Sequence, residues 1–162
     1  MAVLPILTLP APVLRQKAKR VRTVDASVRK LIADMLETMH NEPGRVGVAA
    51  PQVGVSLRVI VIGMPDEPDI VLINPEIVRR TGGRVITEGC LSLPGYYGHI
   101  RRADSVTVKG RDGEGKEVRI KADGLLAQAL EHEIDHLNGQ LYIDHLESVD
   151  ELHKVEPGET DI

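Results

Sequence analysis

Leu130-Glu131-His132-Glu133-Ile134-Asp135-His136-Leu137 sets two histidines four residues apart with a glutamate beside the first. On an α-helix, side chains at that spacing share a face, so both imidazoles aim at one point. That is the arrangement of a divalent-metal site with a carboxylate base at its edge. Leu125, Leu126, Ala129, Leu130, Ile134 and Leu137 give the helix a large apolar surface. Leu125, Ala129, His132, Glu133 and His136 fall on one stripe, so the polar triad faces the interior. Unpaired polar groups are costly there, which favours ligation over a chance pair of core histidines. Asp123 is placed to cap this helix and Gly139 to end it.

The other elements follow from periodicity. Val28, Leu31, Ile32, Met35, Leu36 and Met39 repeat at helical spacing after Asp25, predicting a first helix capped by Asp25 and ended near Pro43-Gly44. Residues 46–54 are small and contain Gly47 and Gly54, a composition unsuited to an ordinary strand and suited to close approach by another chain. Residues 58–64 and 70–73 read as buried strands, broken by Pro65 and by Asn74-Pro75. Residues 76–81 and 84–87 flank Gly82-Gly83, a hairpin signal. A second hairpin is expected between 105–109 and 117–121, and residues 141–146 form a short apolar segment. The expectation is therefore an α+β fold, with antiparallel β-sheets packed around the C-terminal metal-binding helix and one further N-terminal helix.

At 162 residues, the chain is expected to form a single catalytic domain over 1–148. Residues 149–162 are expected to be a disordered acidic tail. The Pro-rich and then basic segment 1–22 reads as a solvated loop or short turn, with binding to an RNA-rich partner as the sharper alternative. Formal charge is −4, and there is no Phe, no Trp and only three Tyr. So few rings disfavour single-stranded nucleic-acid binding, and no DNA partner is expected. A lone cysteine fits a reducing compartment, and no apolar run is long enough to span a membrane. The N-terminal residues lack the pattern of a signal peptide, so a cytoplasmic protein is expected.

Two histidines leave a catalytic metal one protein ligand short of three. Tyr142 stands where a metzincin would place its third histidine. Glu156 has a tolerable spacing but sits in a tail with no helical pattern, and His145 and His153 could serve only by folding back. Cys90, in the polar and irregular Glu88-Gly89-Cys90-Leu91-Ser92, is the strongest candidate, although a lone cysteine is also a common small core residue. A zinc peptidase and a structural metal site are the rival classes. The first needs a ligand downstream of the helix; the second needs a fourth protein ligand and has no use for Glu133.

Taken together, Val46-Gly47-Val48-Ala49-Ala50-Pro51-Gln52, Glu88-Gly89-Cys90-Leu91-Ser92 and His132-Glu133-Ile134-Asp135-His136-Leu137 resemble the three signature motifs of the peptide deformylase family, in order and spacing. Arg45 stands where the family usually has Gly, and Glu131 where it usually has Gln. The resemblance implies a metal-dependent hydrolase that removes the N-formyl group from N-terminal formyl-methionine of nascent polypeptides and releases formate. It implies Cys90, His132 and His136 as metal ligands, Glu133 as general base, and Gln52 with the Leu91 N–H as oxyanion donors. Val46, Gly47, Val48 and Gly89 would contact substrate, and Val46, Ile86, Leu125, Ala129 and the His132 ring would line the methionine pocket. Gln128 adds polarity near that pocket, and Glu88 with Arg102 would brace the Cys90 turn. The resemblance favours one Fe(II) in the cell, with zinc, nickel or cobalt as replacements, and admits a transient ribosome contact.

Overall fold

Val59, Ile60, Val61 and Ile62 form a strand buried on both faces, and the helices take one face each. The computed structural model describes residues 2–155. In chain order these form α1 (Ala26–His40), β1 (Gly47–Ala49), β2 (Val59–Ile62), β3 (Ile70–Thr81), β4 (Arg84–Cys90), β5 (Leu93–Arg102), β6 (Ser105–Arg111), β7 (Glu117–Asp123), α2 (Gly124–Leu137) and β8 (His153–Lys154). One sheet runs β1-β2-β3-β6-β7 and the other β4-β5-β8, with every pairing antiparallel. The α+β expectation holds.

Alternation along β2 sorts the core in two. Val59 and Val61 pack with Val28, Leu31, Ile32, Met35 and Met39 of α1. Ile60 and Ile62 pack with Ala127, Leu130, Ile134 and Leu137 of α2. Helix α1 starts as expected, because the Asp25 carboxylate accepts from the Val28 N–H at 3.0 Å. Asp123 does occupy the N-cap position of α2, but its side chain makes no capping bond. Along the N-terminal segment the charged side chains are exposed, as expected, while Leu14, Ala18 and Val21 turn inward.

Three local expectations are corrected. First, residues 47–49 do form a strand, β1, at the edge of the five-stranded sheet. The close approach its glycine permits is made by α2: a Cβ on Gly47 would lie 2.7 Å from Glu133 Oε2. Second, Asn74-Pro75 does not end the strand. Asn74 takes φ 53°, the register shifts between Ile73 and Glu76, and β3 continues to Thr81. The irregularity lets a residue without an N–H remain in the strand, and Asn tolerates the left-handed conformation. The Asn74 amide also clamps the N-terminal segment, accepting from the Val21 N–H and donating to the Val21 carbonyl, both at 2.8 Å.

Third, Gly82-Gly83 is no hairpin. Strand β3 pairs with β6 and β4 with β5, so the glycines carry the chain from one sheet to the other. Asp104 secures this corner, its carboxylate accepting from the Gly83 N–H and its own N–H donating to the Thr81 carbonyl. Only the hairpin between β6 and β7 forms as expected.

The expected tail also differs over its described part. Residues 149–151 form a 3-10 turn, and β8 pairs with Tyr96 and Tyr97 of β5. Leu152 packs on the cluster of Cys90, Ile100, Leu141 and Tyr142, so apolar burial holds a segment that charge content alone marks as loose. Residues 156–162 lie outside the described residues.

Asn74→Ala removes both clamping bonds and puts a Cβ without a local hydrogen bond at positive φ. It is expected to lower unfolding free energy by about 2 kcal/mol, read by urea denaturation. Asn74→Gly should recover only the backbone part of that loss.

Candidate metal centre

Helix α2 brings His132 and His136 together, with ring centroids 5.0 Å apart. Its path is fixed at the far end by Gly139, at φ 74°, where a Cβ would meet the Arg15 carbonyl oxygen at 2.6 Å. Cys90 is the last residue of β4, at the tight turn into β5 where it pairs with Leu93. The Ser92 N–H points at its sulfur from 3.4 Å. The sulfur lies 3.2 Å from His136 Nε2, and the ligand atoms of Cys90, His132 and His136 all fall within 4.8 Å of one another. That spacing suits one cation bound at about 2.0–2.3 Å by nitrogen and sulfur. Among the described residues this is the one such cluster.

Glu88 orients the site. His132 Nδ1 lies 2.7 Å from Glu88 Oε2. A carboxylate only accepts, so Nδ1 carries the proton and Nε2 is left to bind a cation. Arg102 grips the same carboxylate twice, through Nε at 3.0 Å and Nη2 at 2.5 Å, and Gln128 Nε2 donates to Oε1 at 3.3 Å. Arg102 Nη1 continues to Asp135 Oδ2 at 2.8 Å, which also accepts from His145 Nε2 at 2.8 Å. The expected Glu88–Arg102 brace is present, buried and bidentate.

The charges are set by these partners. Burial pushes Glu88 up, but His132 and Arg102 more than offset it and hold the carboxyl at about 2. Burial also opposes ionisation of Cys90, yet His136 and His132 bring the thiol down to about 5, so a thiolate is available at neutral pH. For His132 burial disfavours charge, while Cys90, Glu133 and Glu88 outweigh it and raise it well above its ordinary value. The same anionic surroundings would hold a cation in place of that proton. Burial dominates at Glu133 and raises its carboxyl, and its Oε1 has no hydrogen-bond partner among the described residues.

Gln52 sits in the 3-10 turn Ala50–Val53 that follows β1. Its Oε1 accepts from the Ala49 N–H at 3.0 Å, which turns its NH₂ toward Ser92 Oγ at 3.2 Å and Cys90 Sγ at 3.8 Å. A cleft opens beside the three candidate ligands. Arg45, Val46, Gly47 and Gln52 form one wall, and Glu88, Gly89 and Leu91 another. Leu125, Gln128, Ala129, His132 and Glu133 of α2 form its floor.

Most of the expected site residues therefore converge. Two of the expected substrate-contacting residues do not line the cleft. Ile86 packs on the cluster of Cys90, Ile100, Leu141 and Tyr142, and the Val48 side chain is buried on the α1 side. Arg45, expected only as a departure from a motif, lines the cleft at negative φ and donates to the Thr38 carbonyl at the end of α1. His145 is drawn off to Asp135 and His153 stacks on Tyr97, so neither reaches the cluster; Glu156 lies outside the described residues. The part played by Asp135 went unread, though its place on the helix between the histidines was a signal.

A family model described as polypeptide deformylase matches residues 3–152. A peptide deformylase of Dehalococcoides mccartyi is 58% identical over 158 residues, covering 97% of this chain and 94% of its own. The crystal structure of a peptide deformylase from Legionella pneumophila is similar with a TM-score of 0.88 at 49% identity, covering 93% of this chain and 89% of that one. That of a peptide deformylase from Synechococcus elongatus in complex with actinonin gives a TM-score of 0.86 at 46% identity, with coverages of 91% and 81%.

Cobalt-loaded protein is expected to show an intense sulfur-to-metal band in the near ultraviolet, lost in Cys90→Ser together with tight metal retention. An unchanged spectrum would exclude thiolate ligation. A second expectation concerns acid. Glu88 is depressed to about 2 from an ordinary 4.5, so its contribution is complete above 4.5 and lost as pH falls toward 2. Denaturation of chelated protein across that window should be steeper for the parent than for Glu88→Gln.

Proposed function

The chain belongs to the polypeptide deformylase family and removes the N-formyl group from the formyl-methionine of nascent polypeptides; we propose that Cys90, His132 and His136 hold its catalytic cation. The observation that carries this reading is the convergence of those three donors beside the buried Glu133 carboxylate, whose Oε1 has no hydrogen-bond partner among the described residues.

When bound, the cation would supply Lewis-acid polarisation and make water easier to deprotonate near neutral pH. The residues supply the rest. Glu133 takes a proton from the attacking water and returns it to the leaving amine, so the C–N bond breaks and formate and the free amine result. Its upward shift makes it a stronger base than an exposed glutamate. Gln52, its amide direction set by the Ala49 N–H, donates to the tetrahedral oxyanion along with the Leu91 backbone N–H.

Substrate main chain adds to the open edge of β1. The Val46 carbonyl accepts from the Gly63 N–H at 2.8 Å, and Val48 pairs with Val61. The antiparallel alternation then turns the N–H and C=O of Gly47 outward, away from β2. Recognition through backbone supports tolerance of many sequences after the first residue. The methionine side chain lies against Val46, Leu125 and Ala129, with Gly89 on the opposite wall.

A Cys/His/His set suits Fe(II), zinc, cobalt or nickel; Fe(II) is the proposed cellular metal, the others serving as replacements. The chain is read as one catalytic domain that includes β8, working in the cytoplasm in transient contact with the ribosome that presents its substrate. No helix among the described residues is long and apolar enough to cross a membrane.

Formate release from formyl-Met peptides, run beside cleavage of unformylated peptides, tests this assignment. Glu133→Ala should retain metal and lose turnover, whereas loss of metal would make Glu133 a ligand. Gln52→Ala should lower kcat by about 100-fold or more with little change in KM, since an oxyanion donor acts chiefly in the transition state.

A further inference from the structure

Arg45 enters the cleft from the residue just before β1. Its side chain is largely buried, at 14% exposure, and the guanidinium is anchored by Nη1 donating to the Thr38 carbonyl at 2.6 Å. Nη2 lies 3.5 Å from the carboxylate of Glu42, which is 63% exposed and shared with solvent. The Nε–H is buried and has no hydrogen-bond partner among the described residues. A buried donor left unpaired is costly, so an acceptor arriving in the cleft would relieve it. Of the two carboxylates nearer the reacting end, Glu88 is committed to His132 and Arg102, and Glu133 lies beside Gly47, away from Arg45's own partners Thr38 and Glu42. Among the described residues, Arg45 is therefore the one cation lining this cleft whose only carboxylate partner is exposed.

Its place along the edge says which part of a substrate it meets. Gly47 abuts Glu133, at the reacting end. Arg45 lies two residues upstream, about 7 Å farther along the strand. A peptide paired with Gly47 at its methionine and leading away from the cation brings its third residue beside Arg45. We infer that Arg45 is a specificity-determining residue that favours an acidic over a basic side chain at the third position of the formylated peptide. The inference rests on the deformylase reading of this cleft. Glu42 competes for the same guanidinium and tempers the preference.

The test compares kcat/KM for formyl-Met-Ala-Glu-amide and formyl-Met-Ala-Lys-amide on metal-loaded protein. The parent should favour the glutamate peptide by about fivefold, the scale of a partly exposed ion pair, and the ratio should shrink between about 50 mM and about 500 mM salt. Arg45→Gln should bring the ratio near one, and Glu42→Gln should widen it. A parent ratio near one, a ratio insensitive to salt, or one that survives in Arg45→Gln overturns the inference. If Arg45→Gln fails to fold, the Glu42→Gln ratio decides, because no widening also overturns it. Formate release from both peptides at equal rates would defeat this inference alone, whereas no formate from either would defeat the reading beneath it.

Discussion

The buried Glu88 carboxylate is the joint on which the centre depends. It sits on β4, two residues before Cys90, and reaches both His132 of α2 and Arg102 of β5. Taking a carboxylate out of water costs several kcal/mol, and only close, multiple donors offset that cost. Here a bidentate guanidinium, an imidazole N–H and the Gln128 amide do so. Removing Arg102 would leave an uncompensated charge in the interior. The network thereby ties the small sheet to the helix, and with them the sulfur to the nitrogens.

The second constraint is steric. Glu133 must face the cleft from a helix packed flat on the five-stranded sheet, and β1 lies directly opposite. Only a residue without a side chain leaves room, which accounts for Gly47. The edge left open beyond it is a strand template that would invite aggregation if long and apolar. At three residues, beside a charged site, it suits a transient peptide strand instead.

Local pattern made both helices readable, because each has a long apolar stripe with clear end signals. The buried run of β2 was readable for the same reason. The errors fall where a local signal has two tertiary outcomes. Gly82-Gly83 permits a sharp change of direction, and whether the chain folds back or crosses to another sheet depends on partners far away in sequence. Asn74-Pro75 reads as a break, yet a left-handed Asn, a register shift and the clamp on Val21 keep the strand running. Ile86 belonged on one face of β4 or the other, and only the position of Tyr142 and Leu141 decided which.

The sequence by itself determined that two imidazoles and a carboxylate would share a helix face, since the helical repeat allows nothing else. It also marked Cys90 as the thiol available to join them. Only the tertiary structure decided that the sulfur stands 3.2 Å from His136, that Glu88 holds the His132 tautomer, and that Arg45 turns into the cleft. Those facts depend on the turn after β4, the packing of β5 against α2 and the carbonyl at the end of α1. Each joins residues far apart in the chain, and periodicity carries no information about such distances.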